Sequence, residues 1–246
     1  MRPLTYAGLL GRGVAAGGLA GLAAGVVNLV LVEPLSRAAV RIEETRPAAE
    51  DGHHEATFSD GVYTLGGVVA LVLVGLALGA LFATVIAASA ARWGHRGGFA
   101  HSGLVAALGF AAVALLPALK YPANPPGVGD GETVNGRTAA YLTLIVAGLA
   151  LAYGLVRLDA YLSGRGGLSS GTRGAAVAGA AALGAVLLLV GWPANPDAVP
   201  ADVPASLLWD FRLASLAVLT TLWLVLGVAF GLLTERRAAA RPLVTA

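Results

Sequence analysis

Six long stretches with little or no charge decide what this chain can become: Gly13–Val32, Gly61–Ala88, His101–Leu119, Thr138–Val156, Gly174–Trp192 and Leu207–Thr234. A bilayer core of ~30 Å takes roughly 20 apolar residues at 1.5 Å of rise each, and every stretch meets or approaches that length. Inside a membrane the backbone N–H and C=O groups must be satisfied within the segment, so stretches of this kind are expected to be helices. The period-two alternation of a β-barrel strand is absent. The expected fold is an all-α integral membrane protein over residues 1–246, its six transmembrane helices arranged as three hairpins. Composition agrees, with 57% apolar and 12% charged residues where a soluble domain carries ~25% charge. Pro117 or Pro122 closes the third segment and Pro193 the fifth. The first segment is too long for a signal peptide, and Glu33-Pro34 follows it where small residues would prepare a cleavage site.

The sixteen cations and fourteen acids are unevenly placed. Grouping the two termini with the second and fourth loops gives ten cations against two acids, Asp159 and Glu235. The opposite side holds six cations and the other twelve acids. Orientation follows Lys and Arg, so both termini are expected in the cytoplasm. A net charge of +2 offers nothing for nucleic acid. With no cysteine, disulfides, thiolate metal sites and cysteine nucleophiles are excluded.

An internal repeat comes next. Tyr121-Pro122-Ala123-Asn124-Pro125 and Trp192-Pro193-Ala194-Asn195-Pro196 lie 71 positions apart, each at the end of an apolar segment. Gly103 and Gly174 stand at matching offsets before them, and Arg137-Thr138-Ala139 and Arg212-Leu213-Ala214 open the segments that follow. Helices three–four and five–six thus read as two copies of one hairpin in the same orientation. Glu33-Pro34 would stand where Tyr121-Pro122 does if helices one–two are a third copy. The first segment also carries Gly13, Gly17, Gly21 and Gly25 on one face, which predicts close approach by another helix.

The stretch 33–60 is expected to be an acidic, histidine-bearing extracytoplasmic loop. It holds Glu33, Glu43, Glu44, Glu50, Asp51, His53, His54, Glu55 and Asp60. Imidazole with carboxylate suits borderline divalent ions such as cobalt, nickel or zinc, so His53, His54, Glu50, Asp51 and Glu33 are the candidate metal ligands. The plainer reading is a solvated acidic loop. Polar groups in or beside a membrane segment are further candidates for function, since an ion there costs roughly 2.5–3.5 kcal/mol. They are Asn28, Asn124, Asn195, Asp130, Glu132, Asp210, Arg137 and Arg212. Both arginines sit at helix starts, where the macrodipole disfavours a cation, so each calls for an acidic partner. Asp210 is two residues from Arg212, the wrong spacing on a helix, so that partner is expected from another hairpin. These pairs would serve equally as latches between hairpins. His95 and His101, beside Arg92 and Arg96, read as an ordinary loop.

Enzyme signatures are missing. The single lysine, Lys120, follows Leu119, so there is no Walker A loop. Gly11-Arg12-Gly13 with Gly17 has no strand before it, His54-Glu55 lacks a zincin's second histidine, and no G-x-S-x-G occurs. The chain is expected not to be an enzyme and to hold no tight cofactor.

Two strings resemble a known family. Leu119-Lys120-Tyr121-Pro122-Ala123-Asn124-Pro125-Pro126 with Gly129-Asp130 and Arg137-Thr138 is one; Leu208-Trp209-Asp210-Phe211-Arg212-Leu213-Ala214-Ser215 is the other. They look like the CbtA family of proposed cobalt transporter subunits, from about Gly13 to Glu235. That resemblance implies a multi-pass protein of the bacterial plasma membrane carrying Co2+ or Ni2+ toward cobalamin synthesis. It also implies a small single-span partner, CbtB, that supplies histidines; a homo-oligomer stays open. The competing expectation is a non-transporting scaffold that holds another subunit, its buried polar residues pairing with one another.

Overall fold

A computed structural model describes residues 5–45, 60–93, 98–129, 133–165, 167–197 and 199–239. Among the described residues there is no strand, and six helices are long and apolar enough to cross a membrane. They are α1 (Tyr6–Glu44), α2 (Asp60–Trp93), α3 (Gly98–Lys120), α4 (Val134–Gly164), α5 (Ser170–Gly191) and α6 (Ala205–Ala239).

Two helices run past a proline that would ordinarily stop them. Proline lacks an N–H and its ring collides with the carbonyl four residues back. In α1 the turn Asn28–Val32 is π-helical: the Glu33 N–H reaches back five residues to the Asn28 carbonyl, and Pro34 enters the next α-turn at its start. The wider turn makes room for the ring, so α1 continues to Glu44 and the first part of the expected 33–60 loop is helix. In α3 the turn Phe110–Leu115 does the same, with Leu116 N–H bonded to Ala111 O just before Pro117. Pro34 and Pro117 thus stand alike, each just after a π-turn. Helix α3 ends only at Lys120, where Tyr121 leaves the helical region ahead of Pro122.

By packing, the chain divides into two compact units: residues 1–107, 125–127 and 202–246, and residues 108–124 with 128–201. In the first unit α1 and α2 run antiparallel at backbone contact. A methyl group at Gly17 would overlap the Gly75 carbonyl, one at Gly13 the Gly79 carbonyl, and one at Gly21 would stand 2.5 Å from Leu71 O. In lipid no hydrophobic force drives one helix against another, so such close van der Waals approach is what binds them. Ala16, Ala20 and Ala24 are fully buried on the same helix, which also packs on α6. Phe82 of α2 meets Phe230 of α6 edge to face, ring centres 5.3 Å apart. Gly227 and Gly231 of α6 accept Ala106 and Phe99 of α3.

His101 lies in the first turns of α3, not in a loop. It is buried, and its Nε2 is 2.9 Å from Ser89 Oγ of α2. The same Ser89 hydroxyl lies 2.6 Å from Val85 O and 3.3 Å from Ile86 O of its own helix.

The second unit consists of the last turns of α3 with α4 and α5. Leu116, Tyr121 and Leu144 form its core, with Tyr141, Leu188, Leu189 and Trp192 packed around them. Gly148 of α4 lies over the Ala112 carbonyl, which a methyl there would approach to 2.9 Å. The apolar window of α5 has no buried residue, and Val190 is 78% exposed. A helix so apolar and so uncovered is suited to lipid.

Candidate functional site

The second unit brings both Pro-Ala-Asn-Pro turns to one cleft of about 310 Å³. Its lining includes Tyr121, Asn124, Arg137, Tyr141, Asn195 and Asp197. The turns form because each residue ahead of a proline is pushed out of the helical region, as Tyr121 and Trp192 are. Three bonds then tie helix ends of neighbouring hairpins together. Lys120 Nζ donates to Leu189 O at 2.8 Å, the Tyr121 hydroxyl to Pro193 O at 2.7 Å, and Trp192 Nε1 to Ala140 O at 3.1 Å. Burial pushes the Tyr121 hydroxyl above its usual 10.0, so it stays a donor at neutral pH.

Asp197 is the centre of the cleft's electrostatics. Its side chain is 1% exposed and accepts from the Arg137 guanidinium, which is 31% exposed. Thr133 Oγ1 donates to the other carboxylate oxygen at 2.6 Å, and the Asp197 N–H is held by Asn195 Oδ1 at 3.1 Å. Arg137 thus receives the acidic partner its place in the first turn of α4 calls for, and from the next hairpin. Gly129 completes the enclosure. Its φ of 126° suits only glycine, and a methyl there would lie 2.6 Å from a guanidinium nitrogen and 3.1 Å from Asp197 Oδ2.

Of the expected site residues, Asn124, Arg137 and Asn195 are brought together here. Asn28, Glu33, Asp210 and Arg212 belong to the first unit. Asn28 begins the π-turn of α1. Glu33 Oε1 accepts from Arg37 Nε at 3.0 Å and from Thr64 Oγ1 at 2.7 Å, fastening α1 to α2. Asp210 is exposed and Arg212 half-buried on α6. Glu50, Asp51, His53, His54, Asp130 and Glu132 lie outside the described residues. Among the described residues no three His, Asp or Glu side chains converge as a metal site. Sequence reasoning misses Asp197, although it directly follows the second Pro-Ala-Asn-Pro.

Six membrane-length helices with polar groups gathered at helix ends define a multi-pass integral membrane protein. The chain belongs to the CbtA family, described as a probable cobalt transporter subunit, which it matches over residues 6–235. That is a family of transporter subunits, not of enzymes. No curated protein and no solved structure matches the chain.

Proposed function

We propose that this chain is the membrane subunit through which a divalent transition metal, cobalt first, enters a bacterial cell to supply cobalamin synthesis. The match to a cobalt transporter subunit family over residues 6–235 is the observation that carries this reading. In it both termini are cytoplasmic, and the cleft at the proline turns opens outward. The acidic residues Glu50, Asp51, Asp130 and Glu132, with His53 and His54, raise the local cation concentration on the outer side of the membrane. Nothing in the sequence resembles a nucleotide engine, and none is needed. A dication falling through −100 mV gains about 4.6 kcal/mol, twice the single-charge figure. A small single-span CbtB-like protein is the proposed second subunit.

The test is accumulation of radioactive cobalt by cells expressing this chain, alone and with the small partner, against an empty vector. Uptake that follows expression and collapses with the membrane potential supports the reading; no uptake in either combination removes it. The scaffold reading keeps one observation in its favour. The acids Glu33, Asp159 and Asp197 are each paired with an arginine, namely Arg37, Arg173 and Arg137. Capture of the partner by this chain without any cobalt accumulation would select it.

A further inference from the structure

We propose that the cleft between the two Pro-Ala-Asn-Pro turns is a divalent-cation seat, with Arg137 standing in for the ion while the seat is empty. The inference rests on the transport reading above and adds the site and its occupant. Three observations lead to it. A carboxylate only 1% exposed forms part of the lining of a cleft of about 310 Å³. At ~30 Å³ per water that space holds about ten, enough for a divalent ion still carrying much of its octahedral shell. Asn124 and Asn195 line the same cleft, and Asn195 Oδ1 accepts from the Asp197 N–H.

The charge on Asp197 is compensated from within, by a guanidinium that is itself 31% exposed and can turn outward. A dication entering the cleft exchanges with that guanidinium on Asp197, and Arg137 swings into water. Afterwards Asn124, Asn195, Asp197 and residual water hold the ion through oxygen alone. A borderline metal prefers imidazole or softer donors, so an oxygen seat holds it loosely. Loose holding is what a conducting site requires, because an ion bound too well does not leave. Arg137 sharpens this by competing for the carboxylate, and it lowers the affinity for every cation that cannot displace it.

Equilibrium binding of radioactive Co2+ to the purified full chain in lipid nanodiscs tests the proposal. R137Q should bind about ten-fold tighter or more, a factor equivalent to ~1.4 kcal/mol of removed competition. D197N should lose the site, in the wild-type background and in R137Q alike. A folded R137Q with wild-type or weaker affinity overturns the proposal, as does D197N that binds as R137Q does. Should R137Q fail to fold, the wild-type chain still answers. Saturating Co2+ should raise phenylglyoxal labelling of Arg137 severalfold, and unchanged labelling overturns the exchange. Cellular cobalt uptake without these binding effects would defeat the seat and spare the transport reading. Binding effects without uptake would do the opposite.

Discussion

Breaking the Arg137–Asp197 pair from its two ends should have unequal costs, and the inequality follows from burial. Asp197 is 1% exposed and Arg137 31%. In R137A the carboxylate, 1% exposed, keeps the Thr133 hydroxyl but loses its countercharge. Removing one partner of a buried pair costs about 3–5 kcal/mol, and this variant should fall in that range. In D197A the arginine is already partly wet and turns outward, so the cost should be nearer the ~1–3 kcal/mol of an unmade buried hydrogen bond. The double variant R137M/D197L leaves no stranded charge and should be less destabilised than R137A alone. Reversible unfolding in mixed micelles, titrated with sodium dodecyl sulfate and followed by circular dichroism, measures all three. Equal losses in the two single variants, or a double variant worse than R137A, would refute the claim that burial of the carboxylate sets the energetics of this cleft.

Other sites give cheaper tests. Gly17→Val places a side chain against the Gly75 backbone and should cost at least the ~1–3 kcal/mol of overpacking, whereas Gly174→Ala, with nothing within 4 Å, should leave the unfolding midpoint unchanged. The Glu33–Arg37 pair is exposed at the arginine (51%) and lies on one helix, so R37A should cost only about 0.3–0.5 kcal/mol and vanish into experimental scatter at high salt. Tyr121 has a folded-state value above 10.0, so the folded chain holds its proton longer than the unfolded one. Its contribution is complete below 10 and is lost as pH climbs through the folded value. Y121F should be less stable than wild type at pH 8 and should lose less between there and strongly alkaline pH, as unfolding curves at the two extremes would show.

Much of this molecule can be read from its residues, and the failures have physical causes. Six apolar stretches announce six helices because lipid leaves the backbone no other partner. Glycines at 13, 17 and 21 announce backbone contact, and the structure supplies Gly79, Gly75 and Leu71 opposite them. Ends are harder. Pro34 looks like a stop, and it would be one if the turn before it were a regular α-turn; the π-turn at Asn28–Val32 is a tertiary choice that no residue type dictates. The expected start of helix four at Thr138 falls short because Arg137 is tolerated inside the first turn once Asp197 neutralises it. Its far end passes 156 to Gly164, with Asp159 held by Arg173 of α5 at 3.1 Å. The cleft itself is half visible. The repeated asparagines point to it, but Asp197 has no counterpart after the first turn, where Pro126 stands, and its partner is sixty residues away. His101 shows the reverse error, a polar residue among arginines assigned to a loop when one serine across a helix gives it a buried home.

The π-turn in α1 also acts as slack in the winding. It takes one residue more for a turn than the α-geometry on either side, so the extra residue ahead of Pro34 is absorbed where it arises, and Glu33–Glu44 continue in step with the glycine face below them. Deleting a single residue between 28 and 32 would return the turn to α-geometry, leave Glu33 opposite Thr64, and set the Pro34 ring against the carbonyl four residues back. The helix keeps both its proline and its register because one turn is wound loosely.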